Sequence, residues 1–193
     1  MLISLTTKNY FNMDIRAAQK DMCNAYLGGD SGVLISGLVW ITASIFAIYG
    51  SKQTSLIVFF LAGMFIHPIG VLVDKLFNRS GKHVKENPLG NLAMESTVIL
   101  FIGLFLGYSL FRTLPNWFFP IMLMIIGVRY LIFQTIYGMK IYWVLGLLLI
   151  VAGFIGLNSN QPFYTFGIVG GIIELIFSVL IIRTDSNNFK SHT

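Results

Sequence analysis

Four ionisable residues stand inside stretches of sequence that are otherwise apolar enough to cross a membrane: His67, Glu95, Arg129 and Glu174. A charged side chain in hydrocarbon costs on the order of several kcal/mol, so such residues usually face a protein interior or water and pair with one another. Residues of these types could bind a polar or anionic solute, hold a lipid headgroup or transfer a proton. Their placement therefore predicts a helical membrane protein with a functional polar interior.

Arg129 is the residue best suited to anchor an anion, and other polar residues share its depth. At 1.5 Å per residue, Arg129 and Glu174 each lie roughly 13 Å from one end of their segments, so an ion pair between them is expected. Tyr130, Gln134 and Tyr137 follow a helical i, i+4, i+7 spacing and predict a polar stripe. We interpret these five residues as a ligand-binding cleft, in which Glu174 holds Arg129 when the site is empty.

His67 and Glu95 could couple a proton to this site, but each also has a purely structural interpretation. His67 precedes Pro68, and its ring could satisfy a carbonyl group that the proline leaves without a donor. Glu95 lies near the end of its segment, where the positive end of a helix dipole favours a carboxylate. An Arg129–Glu174 pair could likewise serve only to fix helix register. The sequence leaves these alternatives open.

Composition defines the class of protein. The 193 residues are 55% hydrophobic and 11% charged, whereas a soluble domain carries about 25% charged residues. Cys23 is the only cysteine and there are three histidines, so we expect no metal site, no cofactor and no catalytic set. The expected partners are membrane lipids and a small polar or anionic ligand, and we expect no nucleic acid.

Six apolar segments have about the length needed to cross a bilayer, which takes ~20 residues. We predict an all-α bundle with these spans: Gly32–Gly50, Ser55–Lys75, Leu92–Arg112, Phe118–Tyr137, Ile141–Leu157 and Phe163–Arg183. Residues 32–183 form the bundle, residues 1–31 a cytoplasmic segment, and residues 184–193 a disordered cytoplasmic tail. Hydropathy also suggests three hairpin repeats, with Gly63 matching Gly170 and His67 matching Glu174.

Basic residues define the orientation. With six spans and both termini in the cytoplasm, ten of the 13 Lys and Arg residues lie inside and two outside, as the positive-inside rule requires. The inner loop with Arg79, Lys82 and Lys85 suits anionic lipid headgroups, although topology alone also explains its charge. We therefore predict a multi-pass protein of the plasma membrane.

Two further features concern packing. Residues Asn12–Leu27 predict an amphipathic helix that lies in the membrane interface, or else packs as a plug beneath the bundle. Pairs of small residues four apart allow close helix contacts, within one chain or between copies in a homo-oligomer. These pairs are Ala43 and Ala47, Gly103 and Gly107, Ala152 and Gly156, and Gly167 and Gly171.

Several short motifs resemble a family of small bacterial multi-spanning membrane proteins known only as a domain of unknown function. The motifs are residues 18–22 (AQKDM), 25–29 (AYLGG), 36–40 (SGLVW), 79–83 (RSGKH), 87–90 (NPLG), 94–97 (MEST), 117–120 (WFFP), 127–130 (GVRY) and 137–140 (YGMK). The resemblance covers about Ala17–Gly146 and implies a bacterial plasma membrane. It implies nothing about chemistry, and it leaves Glu174 outside.

The leading hypothesis is binding or translocation of a small polar or anionic solute, or of a lipid headgroup, through a cytoplasm-facing cleft. An intramembrane enzyme acting on lipid is one alternative, with His67 or Glu95 as general base and Ser96 and Thr97 beside Glu95. No convincing nucleophile or metal set supports it. A membrane sensor or assembly subunit without catalysis is the other.

Overall fold

The structure is a computed structural model that describes residues 13–190, with side chains up to Thr184. The chain is helical, and short 3₁₀ turns at Leu27–Gly29 and Pro115–Trp117 precede the second and sixth α-helices. The helices are α1 (Ile15–Tyr26), α2 (Asp30–Tyr49), α3 (Lys52–Met64), α4 (Ile66–Leu76), α5 (Pro88–Phe111), α6 (Phe118–Tyr137), α7 (Ile141–Leu157) and α8 (Thr165–Lys190).

The outer surface of the bundle is apolar. Met94, Phe105 and Leu72, for example, are 73%, 69% and 59% exposed. Four helical segments are long and apolar enough to cross a membrane: Ile15–Tyr49, Pro88–Phe111, Pro115–Tyr137 and Thr165–Thr184. The α3–α4 pair would be a fifth span, and α7 is a shorter apolar helix. The fold is that of a multi-pass helical membrane protein, as the composition predicted.

The predicted second span is not one straight helix. It is divided into α3 and α4, which meet at Phe65 with a bend of 48°. Pro68 explains the break, because proline has no N–H to donate to the carbonyl four residues earlier and its ring crowds that carbonyl. Successive helices otherwise run in opposite directions, so the starts of α2, α5 and α7 lie at the same end of the bundle as the ends of α4, α6 and α8.

Glycines bring three helix pairs close together inside the chain. A Cβ atom on Gly127 of α6 would lie 2.7 Å from the Gly146 carbonyl oxygen of α7. One on Gly171 of α8 would lie 3.0 Å from the Gly37 oxygen of α2, and one on Gly103 of α5 would overlap Ile125 of α6. These are the close approaches that small residues permit in membrane bundles. The Gly103 and Gly171 faces are thus filled by the chain's own helices.

The predicted hairpin repeat matches Gly63 with Gly170, but these two glycines are packed differently. Gly170 packs against Trp40 and Leu123, whereas nothing lies within 4 Å of a Cβ atom built on Gly63.

Helix α1 packs beneath the bundle, at the end where α6 finishes. It buries Ala18, Met22 and Ala25. The Gln19 side chain donates to the Thr135 carbonyl at 2.9 Å, and the Cys23 thiol donates to the Tyr137 carbonyl at 3.2 Å. These contacts hold α1 against the end of α6, and its role as a plug or as an interfacial helix stays a prediction.

The loop between α4 and α5 holds α1 from the other side. The Asn87 amide donates to the Ala18 carbonyl at 2.9 Å and to the Asp21 carboxylate at 2.8 Å. The Tyr26 hydroxyl and the His83 Nδ1 atom form a further hydrogen bond at 2.9 Å. The loop between α4 and α5 is therefore fastened to α1 by side-chain contacts.

The two ends of the chain are described in part. α8 continues to Lys190, and the disorder predicted for residues 184–193 stays a prediction. The start of the predicted amphipathic helix at Asn12, the rest of the N-terminal segment (residues 1–11) and residues 191–193 lie outside the described residues. At the other boundary, Gly28 and Gly29 have φ angles of 62° and 86°, a conformation that glycine adopts without the strain of a side chain. They redirect the chain from α1 into α2.

Candidate functional site

Glu174 is the centre of a buried polar cluster in the middle of the bundle. Its side chain on α8 is 0% exposed. The Tyr130 hydroxyl of α6 donates to the Glu174 Oε1 atom at 3.1 Å. Ser36 and Trp40, one turn apart on α2, also face this carboxyl group as donors. Three neutral donors from two helices therefore surround one carboxyl group.

The cluster is not fully satisfied. The Glu174 Oε2 atom and the Trp40 Nε1 atom are both buried, and neither has a hydrogen-bond partner among the described residues. Trp40 thus faces the carboxyl group without forming a close hydrogen bond to it. Because an unpaired buried polar atom costs about 1–3 kcal/mol, such atoms usually have a reason in function or in bound water.

Arg129 lies on another face of α6 and points toward α5. Its Nη2 atom donates to the Thr97 hydroxyl at 3.4 Å, a long hydrogen bond, and its guanidinium lies 5.1 Å from the centre of the Phe133 ring. The Nε atom is buried and has no partner among the described residues. An arginine carries five N–H donors, and the structure places the Thr97 hydroxyl as acceptor at one of them.

The predicted ion pair between Arg129 and Glu174 is not formed. Among residues 13–184, neither side chain makes a salt bridge. Arg129 and Tyr130 are consecutive, and consecutive side chains on an α-helix point about 100° apart. Because Tyr130 faces Glu174, Arg129 cannot also do so and turns to α5. Tyr130 meets Glu174, but the directions of the side chains could not be inferred from depth alone.

The predicted polar stripe on α6 is part of an aromatic column. The Tyr142 ring of α7 stacks on both Tyr130 and Tyr137, with ring centres 6.0 and 5.6 Å apart. The Tyr142 hydroxyl donates to the Gly28 carbonyl in the turn before α2. Gln134 is partly buried between the two stripe tyrosines. The column leads from Glu174 to the end of the bundle where α1 packs.

His67 and Glu95 do not join either group. Both side chains are exposed, His67 in the first turn of α4 and Glu95 on α5. Residues two apart on a helix are about 200° apart, so Glu95 points away from the side on which Thr97 meets Arg129. The structure therefore places the two residues predicted to couple a proton on the outer surface of the bundle.

The residues named for lipid headgroups lie in the loop between α4 and α5. Lys82 and Lys85 are exposed, and Arg79 is partly buried. The loop adopts a fixed conformation, in which the Gly81 N–H donates to the Ala25 carbonyl at 3.0 Å. The basic side chains are therefore held beside α1, at the end of the bundle that closes the aromatic column.

Sequence reasoning missed three parts of the buried polar interior. Ser36 and Trp40 had a usable signal, since they are four residues apart on one span and both can donate a hydrogen bond. Tyr142 could have been found as a polar ring in the first turn of α7. Asp74, which is 1% exposed and interacts with Ser31, was assigned to the end of a span and not considered as a buried group.

Neither a metal site nor an activated nucleophile is found in the described part of the chain. No group of three potential metal ligands occurs there. Ser96 and Thr97 both donate to the Ala93 carbonyl, at 2.7 and 3.1 Å. Their hydroxyl hydrogens are therefore occupied by the backbone of their own helix.

Comparison with known proteins gives a family but no activity. No curated protein and no solved structure matches the chain. A family model described as a family of unknown function, DUF7010, matches residues 15–184. The match extends into α8 as far as residue 184, so the resemblance predicted to stop near Gly146 in fact includes Glu174. The chain therefore belongs to the DUF7010 family, whose function is unknown.

Proposed function

We propose that this protein binds or translocates an oxyanion, carried by a small solute or by a lipid headgroup, at Arg129. The supporting observation is that the Arg129 guanidinium lies within α6 beside a neutral hydroxyl group, with a buried Nε atom that has no partner. A cation in this position is costly unless something neutralises it. A bound anion would do so.

The surroundings of Arg129 suit this chemistry. The planar guanidinium offers parallel N–H groups that match a phosphate, sulfate or carboxylate. Phe133 supports its face, an arrangement that favours a cation over an aromatic ring. Thr97 donates its hydrogen to Ala93 and accepts from Arg129, so it can hold the guanidinium in place while the other donors bind a ligand.

The proposed setting is a membrane crossed six times, with both termini in the cytoplasm. α7 and the α3–α4 pair would supply the spans beyond the four long segments. The positive-inside rule favours this orientation because the exposed Lys82 and Lys85 lie at the end where α1 packs. At that end, Arg79, Lys82 and Lys85 would attract anionic lipids or solutes toward the cleft.

Binding can be tested with two probes, neither of which titrates near neutral pH: inorganic sulfate and short-chain phosphatidylglycerol. Purified protein in neutral detergent is studied by isothermal titration calorimetry, with native mass spectrometry for the retained lipid. The Arg129→Gln variant removes the charge within α6. Arg112→Gln makes the same change at an exposed residue just after α5 and is the matched control.

We expect the native protein and Arg112→Gln to bind at least one probe, and Arg129→Gln to lose at least 10-fold in affinity, about 1.4 kcal/mol. Binding of sulfate alone identifies a solute site, and binding of phosphatidylglycerol alone identifies a lipid site. If a folded Arg129→Gln protein binds both probes as the native protein does, or if the native protein binds neither, Arg129 is not an anion site.

A further inference from the structure

Arg129 and Glu174 form a separated pair of opposite charges on two sides of α6. Neither makes an ion pair among the described side chains, yet the two groups lie near one another, because Tyr130 adjoins Arg129 in the chain and its hydroxyl donates to Glu174. Coulomb interactions persist over longer distances in a dry interior than in water. With the site empty and both groups ionised, the two charges balance one another across the helix.

An oxyanion at Arg129 would disturb that balance. It neutralises the guanidinium, and Glu174 then experiences no net positive charge from α6. The carboxylate is left fully buried among neutral donors, with its Oε2 atom unpartnered. An ionised group in such a place is costly and neutralises if it can. With a singly charged oxyanion such as the phosphodiester of phosphatidylglycerol, one proton restores a net charge of zero; with sulfate, which carries two charges, it lowers the excess negative charge.

The groups around Glu174 can accommodate the proton. Tyr130 and Arg129 act on it from α6, and Ser36 and Trp40, which do not titrate, face it from α2. α7 contributes Tyr142, which stacks on Tyr130. A hydroxyl group can accept as well as donate, so Tyr130 or Ser36 could accept a hydrogen bond from a protonated Glu174.

We propose that Glu174 takes up one proton when an oxyanion binds at Arg129, and releases it when the anion leaves. This inference rests on the proposed function. In the step itself, the Glu174 carboxylate and a proton from water combine to a carboxylic acid, and no other bond changes. Anion binding would therefore raise the proton affinity of Glu174, and protonation of Glu174 would raise the affinity for the anion by the same factor, as linkage requires.

Proton uptake gives a direct test with the native protein. Sulfate or short-chain phosphatidylglycerol is added to the purified protein in weak buffer, and the pH change is followed with an indicator dye. We expect proton uptake to approach one per bound anion at pH values where Glu174 is ionised in the free protein and protonated in the anion complex. Over that pH range, the affinity for the anion should fall about 10-fold for each unit by which the pH rises.

The Glu174→Gln variant should bind the anion with an affinity that does not change with pH, because glutamine resembles the protonated acid. Glu95→Gln, at an exposed glutamate, should behave as the native protein does and is the matched control. If Glu174→Gln does not fold, the proton count of the native protein still decides. Anion binding without proton uptake, or with the same uptake in Glu174→Gln, overturns the coupling. Absence of anion binding in the native protein overturns the proposed function instead.

Discussion

The Tyr130 hydroxyl donates to the Glu174 Oε1 atom across 3.1 Å and so joins α6 to α8 inside the bundle. The residue before Tyr130 is Arg129, which reaches Thr97 of α5. Two consecutive residues of α6 therefore make contacts on two sides of the helix. Tyr130 contacts the buried carboxyl group of α8, and the Arg129 guanidinium contacts α5. Because both are fixed to one helix, a rotation of α6 would change both contacts at once.

Replacement of Tyr130 by Phe tests how much this hydrogen bond contributes to stability. The variant keeps the ring and its stacking on Tyr142 but removes a donor from a fully buried carboxyl group. We expect a loss of about 1 kcal/mol in the free energy of unfolding, in the range of hydrogen bonds in proteins and membranes. The measurement is unfolding by SDS in mixed micelles.

Tyr108→Phe is the control, because Tyr108 is 49% exposed on α5 and its hydroxyl is not enclosed by the bundle. We expect that variant to unfold as the native protein does. Equal stability of the Tyr130→Phe variant and the native protein would show that the hydrogen bond makes no net contribution.

The crossing of α6 and α7 makes a second prediction. A Cβ atom at Gly127 would lie 2.7 Å from the Gly146 carbonyl oxygen, and backbone cannot move aside as a side-chain end can. Gly127→Ala should therefore force the helices apart and destabilise the protein by about 1–3 kcal/mol, the usual cost of overpacking. The same unfolding measurement applies.

Gly63→Ala is the matched variant, because Gly63 also lies inside a helix but has open space around it. Alanine favours a helix over glycine by up to about 1 kcal/mol, so this variant should be unchanged or slightly more stable. A Gly127→Ala protein as stable as Gly63→Ala would mean that α6 and α7 are not held in close contact.

The sequence predicted the helices more accurately than the contacts between them. The bounds predicted for the fourth and fifth spans match those of α6 (Phe118–Tyr137) and α7 (Ile141–Leu157), because Gly138 ends the first and polar residues follow the second. A proline kink at Pro68 was predicted, but the division of this span into two helices, α3 and α4, was not. Hydropathy measures how apolar a segment is, and a bent pair of helices is as apolar as a straight one.

The candidate site was predicted in its components and not in its arrangement. Tyr130 and Glu174 do meet, but Arg129 does not pair with Glu174. Depth along a helix follows from counting residues, whereas the direction of a side chain depends on which helix lies beside it. α2 and α8 pack together although many residues separate them in the chain, so the approach of Ser36 and Trp40 to Glu174 could not be read from spacing.

The number of membrane crossings gives a third prediction, because four helical segments are long enough and two further elements must cross for six spans. α7 has 17 residues, or about 25 Å of helix, against ~30 Å of hydrocarbon. A helix this short can cross when the bilayer thins locally or polar flanks extend. The α3–α4 pair is long enough but bent. We expect both to cross.

The number of crossings can be measured by labelling single cysteines at exposed positions with a maleimide that does not cross membranes. Each cysteine is introduced into a Cys23→Ser variant, so that it is the only thiol in the chain. Gln53→Cys and Gln161→Cys should react in intact cells, whereas Lys85→Cys and Lys140→Cys should react only in inverted vesicles. If α3–α4 is a re-entrant loop, the cysteines at 53 and 85 react from the same side. If α7 does not cross, the cysteines at 140 and 161 react from the same side. Either result would remove a span and place the two chain ends on opposite sides of the membrane.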